Sequence, residues 1–320
     1  MKKSAVTIKD VAERAEVALG TVSRIINGHQ SVKPELRAHV LAVIEELGYR
    51  PNASARTLRT KRTQAIGIIV TDLRQPIAAE LIATASTIAR RHGFASIVGE
   101  FHSDADREAQ LLAFMAERKV DGLLLTLSSD EDQALLKRVE DLAIPVVLWE
   151  RDAGGRLPSV RSDHGHGTRL AAETLRRAGR THPLVIAGAA RSWTGREQIA
   201  GMAGFPELRV FHTEEISAEV LADSMPTIDS VVANIHDIPM VLRTLRTMGR
   251  RCPEDVALIS IGNDPFLEFT APPITAVRTR PDLVARNAVE ILLSQLGVIE
   301  TSGQERDIII QPELILRNSV

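Results

Sequence analysis

From Ala65 onward the chain changes period, and that change does most to limit what it can fold into. Short apolar runs, AIGIIV, FASIVG, VDGLLLT and IPVVLW, alternate with amphipathic patterns at about 77–92, 104–118 and 130–142. Strands buried on both faces read as continuous apolar runs, and strand–helix alternation builds βαβ units around a parallel sheet. A second series, PSVRS, PLVIAG, LRVFH, SVVAN and VALISIG, carries helical patterns near 165–178, 216–224 and 237–249. Two series predict two doubly wound parallel-sheet lobes. ITAVRT, a helix at 281–296 and a last strand DIIIQPELIL follow, which is more than one lobe needs.

The first fifty residues follow a different rule. Thr7 can cap a helix whose N3 residue is Asp10, and Ile8, Val11, Ala12 and Ala15 give it one apolar face. After a break at Ala18-Leu19-Gly20, a second short helix turns Val22, Ile25 and Ile26 inward and leaves Leu19, Thr21, Ser23, Arg24 and Asn27 outward. A third runs from Pro34 to Leu47 with Leu36, Val40, Ile44 and Leu47 inward and Gly48 as its left-handed stop. Two short helices joined by a tight turn and buttressed by a third form an all-α helix-turn-helix.

Charge separates the same two parts. Residues 1–62 hold twelve Lys/Arg against six Asp/Glu, and the remainder holds 27 against 35, so a net charge of −2 conceals a basic end suited to a polyanion. At 320 residues, 44% hydrophobic and 25% charged, the chain suits two or three globular domains. No stretch approaches the roughly 18 apolar residues of a membrane span, and no apolar run follows Met1-Lys2-Lys3, so a cytoplasmic protein without membrane attachment is expected. The single cysteine, Cys252, excludes an internal disulfide framework or a Cys-based metal site, and neither metal nor cofactor is expected. Between Arg50 and Thr63, PNASARTLRTKRT has few large apolar residues and reads as a linker, by composition a solvated basic tether.

The runs TIKDVAERAEV, GTVSRIIN and ELGYRPNASARTL resemble the N-terminus of the LacI/GalR family of bacterial transcriptional repressors. The resemblance implies a helix-turn-helix domain at 1–50, a hinge helix at 51–63 and a periplasmic-binding-protein-like core at 64–320. Its first lobe would take about 64–160 and 278–303 and its second about 161–277 and 304–320, with crossings near Ser159–Asp163, Val277–Arg280 and Gly303–Asp307. By family position Leu19, Gly20 and Arg24 select bases, while Thr21, Ser23 and Asn27 mostly contact phosphate beside Thr7. Gly20 offers no side chain and leaves room. The hinge helix would order on DNA with Leu58 wedged into the minor groove, on one face with Ala55, while Asn52, Arg56 and Arg59 reach phosphates. One helix-turn-helix covers too few bases to select a single genomic site, so the expected partner is a palindromic double-stranded operator read by a homodimer.

Ligands of open α/β sheets bind outside the carboxyl ends of the strands. The residues just after each strand are therefore the candidates for a small-molecule effector: Asp72, Glu150, Arg151, Asp163, Trp193, Arg196, Asn234, Asp237 and Asp264. Carboxylates and amides with an indole beside them resemble a pocket for a sugar or sugar derivative. Asp264, in ISIGNDP, matches the family's effector-binding aspartate. Asp163 and Asp237 match family positions as well, although Asp237 equally suits a helix cap, and Glu150-Arg151 equally suit a lobe-bracing ion pair. Two positions depart from the family pattern. Gln198 stands where an arginine grips a ligand oxygen, with Arg196 close by as a substitute, and Ile77 replaces an aromatic in Gln75-Pro76-Ile77-Ala78. Trp193, in the loop after PLVIAG, is then the candidate for stacking. The chain between Gly204 and Ser217 is also shorter than the family norm by about one strand-helix segment's worth of residues.

The reading is a ligand-responsive repressor. The alternative is a solute-binding protein of the periplasmic type, which the N-terminal helix-turn-helix disfavours. An enzyme is not expected, because no G-x-G-x-x-G, P-loop, H-E-x-x-H or G-x-S-x-G motif is present and no catalytic residue is assigned.

Overall fold

A computed structural model describes residues 6–26, 32–49, 62–300 and 306–320. It divides into two compact units, Met1–Thr63 and Gln64–Val320. Asn27, Asn52, Ala55, Arg56, Leu58 and Arg59 lie outside the described residues.

The first unit contains α1 (Ile8–Arg14), α2 (Leu19–Ile26) and α3 (Pro34–Leu47). The Thr7–Asp10 capping box forms: the Thr7 backbone N–H donates to Asp10 Oδ2 at 2.7 Å, and the Asp10 N–H donates to Thr7 Oγ1 at 3.4 Å. The Thr7 backbone N–H holds the Asp10 carboxyl below its usual range. Leu19 and Gly20 belong to α2 and not to the break before it, because the Ala18 carbonyl already accepts the N–H groups of Thr21 and Val22. The turn is made instead by Glu16, which takes a left-handed φ of 53°. Val11, Ala12, Ala15, Val22, Ile25, Val40 and Val43 form the buried core. Val43 takes the central place in α3, with Ile44 and Leu47 only half-buried at its margin. Gly48, at φ 62°, closes α3 as expected.

The second unit is built on two six-stranded sheets. The first has the order β11-β5-β4-β3-β1-β2, from β1 (Ala65–Val70), β2 (Ala95–Glu100), β3 (Gly122–Leu125), β4 (Val146–Trp149), β5 (Ser159–Ser162) and β11 (Asp307–Ile310). The second has the order β12-β10-β9-β8-β6-β7, from β6 (Pro183–Ala187), β7 (Arg209–His212), β8 (Ser230–Asn234), β9 (Ala257–Ile261), β10 (Thr275–Arg278) and β12 (Glu313–Ile315). On the first sheet α4 (Pro76–Arg91) and α11 (Pro281–Gln295) cover one face around Ile66, Ile68, Val289 and Leu292. The other face takes α5 (Ala105–Glu117) and α6 (Gln133–Glu140) around Leu112, Met115, Leu123 and Leu136. The second sheet is covered likewise by α7 (His164–Arg177) and α8 (Trp193–Gly201) on one face and α9 (Ala218–Ser224) and α10 (Ile238–Thr247) on the other.

Three sequence expectations are corrected. PSVRS does not open the second lobe: β5 pairs with β4 in the first sheet, so the first crossing falls at Asp163. DIIIQPELIL is two strands. Pro312 has no N–H to give a ladder, so DIII ends there as a parallel partner of β5, and ELI resumes in the other sheet antiparallel to β10. The third crossing is therefore Gln311-Pro312 and not 303–307, and the second sheet is parallel except at that edge. Between Gly204 and Ser217 the chain supplies β7, and α9 follows with seven residues. Among the described residues no helix is long and apolar enough to cross a membrane.

Candidate functional site

The carboxyl ends of β1, β3, β4, β6, β8 and β9 border a cavity of about 330 Å³ between the lobes. Six of the sequence candidates line it: Asp72, Ile77, Glu150, Arg151, Gln198 and Asn234. The strand-end geometry explains five of them, since each follows or ends a buried strand or opens the helix after one, while Gln198 reaches the cavity from within Trp193–Gly201.

At the mouth, Asp72 is held by Arg74. Arg74 donates from its backbone N–H (2.9 Å) and Nε (3.0 Å) to Asp72 Oδ1, and from Nη2 to Oδ2 at 2.7 Å. The Arg74 guanidinium pulls the Asp72 carboxyl down to about 2, so it is an anion throughout the physiological range. His102 lies beside it, with Nε2 3.0 Å from Glu100 Oε1, and takes a left-handed φ of 50°. Asp72, Glu100 and His102 bring ligand atoms within 4.8 Å of one another, but both Asp72 oxygens already face Arg74. Sequence reasoning did not single out Glu100, the last residue of β2, or His102, which lines the cavity two residues beyond it, although looking past each strand end finds His102.

The floor is polar and buried. Glu150 takes a φ of 53° immediately after β4, which turns its side chain toward the crossings. Its Oε2 lies 2.6 Å from His164 Nε2, and Ser162 approaches through Oγ (2.8 Å to Oε1) and N–H (3.2 Å to Oε2). Burial alone would raise this carboxyl, but the His164 ring and the Ser162 hydrogen bonds outweigh it and hold it below the usual range. Arg151 does not pair with the Glu150 side chain. Its Nε donates to Leu127 O at 2.8 Å, and its Nη1 donates to Glu150 O at 2.7 Å and to Thr194 Oγ1 at 3.3 Å. Burial lowers its pKa from the usual arginine value. The lobe-bracing partner of Glu150 is thus His164, the first residue of α7.

On the second lobe, Gln198 is turned inward on the protein. Its Oε1 accepts from Gly188 N–H at 2.7 Å and its Nε2 donates to Asn234 Oδ1 at 2.9 Å, while Asn234 Nδ2 donates to Ile186 O at 3.2 Å. Where an arginine would project charge, this pair closes a neutral network. Ile77, with Val70, Ala78, Leu81, Ile235 and Ile261, gives the cavity an aliphatic wall.

The other five candidates do not line the cavity, each for a visible reason. Asp264 caps a short 3-10 helix, accepting from Phe266 N–H at 3.0 Å. Asp163 caps α7 through His166 N–H at 2.8 Å. Asp237 stands at the N-cap position of α10 without capping it; its Oδ2 accepts from Thr213 Oγ1 at 3.1 Å, and burial raises its carboxyl above the usual range. Trp193 opens α8 and is not in a loop, and its ring faces the Arg161 guanidinium at 5.2 Å and the His164 ring at 5.9 Å. Arg196 pairs with Asp130 (3.1 Å) and Glu131 (3.3 Å) of the first lobe.

In the first unit, Leu19, Gly20 and Arg24 are exposed along α2, and Thr21 and Ser23 are half-buried. A Cβ at Gly20 would meet only Arg24 Nη2, at 3.9 Å, so the fold does not require glycine there.

Comparison with known proteins agrees with both units. The model for bacterial regulatory proteins of the lacI family matches residues 7–52, and the periplasmic binding protein-like domain matches residues 163–320. The HTH-type transcriptional repressor PurR of Aliivibrio fischeri is 30% identical, covering 98% of each chain, and the HTH-type transcriptional regulator CelR of Thermobifida fusca is 31% identical, also covering 98% of each. Among solved structures, a CelR–cellobiose complex is similar at 26% identity and a TM-score of 0.69, covering 98% of this chain and 100% of that one. A Lac repressor dimer bound to operator and the anti-inducer ONPF shares the fold at a TM-score of 0.83 and 22% identity, covering 99% of each. These relatives are transcriptional regulators and not enzymes.

Proposed function

Because the chain belongs to the lacI family of bacterial regulatory proteins, we propose that it is a cytoplasmic repressor that reads a palindromic operator as a homodimer and is switched by a small metabolite in the interlobe cleft. The observation that carries this reading is the pairing of an exposed Leu19-Gly20-Arg24 edge on a capped three-helix unit with a separate two-lobed unit holding a polar-floored cavity. A helix of this size fits the major groove, where side chains near its N-terminus meet base edges. Arg24 donates to guanine O6 and N7, a contact worth about 1–3 kcal/mol of discrimination. Leu58 from each protomer wedges the operator centre, with Ala55 beside it and Asn52, Arg56 and Arg59 on phosphates.

The effector is a sugar or sugar derivative. A cavity of about 330 Å³ suits a small metabolite, and cellobiose is named for the CelR complex. Asp72 and Arg151 are its charged contacts and Ile77 packs on its apolar face. An effector that prefers one arrangement of the lobes shifts the population, and with it the operator affinity.

Random-sequence operator selection followed by gel shift tests the DNA half; enrichment without any two-fold symmetric motif would overturn it. Thermal-shift screening against sugars, aldonates, sugar phosphates and nucleosides, with hits tested for release or retention of the selected operator, tests the other half.

A further inference from the structure

Asp130 lies in the first lobe, five residues past β3, and its side chain is fully buried. Both carboxylate oxygens are used by the second lobe. Oδ2 accepts the Trp193 backbone N–H at 2.8 Å, and Oδ1 accepts Arg196 Nη2 at 3.1 Å. Trp193 is the first residue of α8, so its N–H is one of the donors that the helix itself leaves unpaired, and a carboxylate there also meets the positive end of the helix dipole. A residue of one lobe therefore caps a helix of the other. Four further contacts cross at the same place: Thr194 Oγ1 donates to Glu150 O at 2.9 Å and accepts from Arg151 Nη1 at 3.3 Å, Arg196 Nη1 lies 3.3 Å from Glu131 Oε1, and the Arg161 guanidinium of β5 lies over the Trp193 ring.

The receiving helix is rigidly mounted. A Cβ at Gly195 would fall 2.6 Å from the carbonyls of Gly188 and Ala189, and one at Gly201 would fall 1.8 Å from Thr168 Oγ1, so α8 is pressed against its own lobe without slack. Pulling on its first turn moves the lobe and not the helix alone.

We propose that Asp130, Trp193 and Arg196 form an interlobe latch that sets how readily the cleft opens. Buried charge-assisted hydrogen bonds strengthen as water is excluded, so the latch is strongest when closed and favours two discrete states over a continuum. It assigns Arg196 and Trp193 to lobe closure instead of ligand contact, and makes Asp130 a positioning residue for α8, whose Gln198 faces the cavity. The latch depends on protein groups alone and stands whichever metabolite the cleft takes.

Two measurements on the full chain test it. In a Trp149→Phe background, Trp193 is the remaining tryptophan, since the chain has two, and iodide quenching reads its exposure. Trp149 Nε1 has no hydrogen-bond partner among the described residues, so phenylalanine there forfeits no bond. Asp130→Asn and Arg196→Gln are each expected to raise quenching, and the double variant to raise it no further than the stronger single change. Independently, in a Cys252→Ser chain, nitroxides at Lys137→Cys on α6 and Arg177→Cys on α7 report the interlobe distance by pulsed electron resonance. There Asp130→Asn should raise the open-to-closed ratio roughly tenfold, the factor for withdrawing a charge-assisted hydrogen bond. Unchanged distance distributions and quenching in folded variants, or strictly additive effects of the two substitutions, would overturn the latch.

Discussion

Replacing Glu150 by glutamine keeps the shape of the side chain and removes its charge from a place where two of the crossings, Ser162–His164 and Thr279, come together. Glu150 follows β4 of the first lobe, His164 opens α7 of the second, and Ser162 ends β5, its hydroxyl lying 2.8 Å from Glu150 Oε1 and 2.5 Å from Thr279 O. A hydrogen bond to a charged group is worth about 1.5–3 kcal/mol, and glutamine gives up the carboxylate that His164 Nε2 and Ser162 both face. Glutamine still accepts from Ser162, so the loss here should be about 2–4 kcal/mol. At about 2–4 °C per kcal/mol for a domain of this size, the core's unfolding transition should fall by about 5–15 °C at neutral pH. The pH dependence follows from the direction of the shift. The Glu150 carboxyl is held below its unfolded value. Its stabilisation is therefore complete above the unfolded pKa of about 4.3 and is lost as pH falls through the folded one. Glu150→Gln should remove that part of the acid limb, so that the difference in melting temperature between variant and wild type narrows below about pH 4. Calorimetry or circular dichroism between pH 3.5 and 8 would measure it. A variant that melts within about 2 °C of wild type at neutral pH, or a gap that widens on acidification, would refute a stabilising, ionised Glu150.

Three further perturbations read other parts of the chain. Gly20→Ala places a methyl in open space within α2, so it should stabilise the first unit by about 0.5–1 kcal/mol in chemical unfolding while altering the operator selected; a destabilised unit would mean that glycine serves the fold. Gly201→Ala drives a Cβ to 1.8 Å from Thr168 Oγ1 and 2.5 Å from Gly165 O, and overpacking between α7 and α8 should cost about 3 kcal/mol in urea unfolding of the core. Cys252 is half-buried and its thiol is pushed up to about 11 by burial, so native protein at pH 8 should react with a disulfide reagent roughly a hundredfold more slowly than urea-unfolded protein.

Periodicity was enough for the architecture, because the central strands β1, β3, β4, β6, β8 and β9 are buried runs, as parallel sheets demand, while the edge strands β2 and β7 are partly exposed. It could not divide DIIIQPELIL between two sheets, since both halves are equally apolar and only the inability of Pro312 to donate separates them. The strand-end rule brought Asp72, Glu150, Arg151 and Asn234 to the cavity, whereas Asp163 and Asp264 cap the helix that follows each of them. A short carboxylate at a strand end can reach either a ligand or the N–H groups of the next helix, and sequence does not tell which wins. The Asp130–Arg196 pair spans sixty-six residues and both lobes, and no local pattern announces it.

These outcomes bear on where recognition sits. The second lobe's wall spends polar groups within its own lobe: Gln198 closes on Gly188 and Asn234, and Asn234 on Ile186. The first lobe brings Asp72 and Arg74 to the mouth of the cavity and Arg151 to its floor, and the second lobe adds Glu214 and His236. A polar ligand would gain most from a charged group already desolvated and held in place, and Arg151 is such a group. Substitutions at Asp72 or Arg151 should therefore change which metabolite is accepted, whereas substitutions at Asp130 or Arg196 should change how far the lobes part when it is.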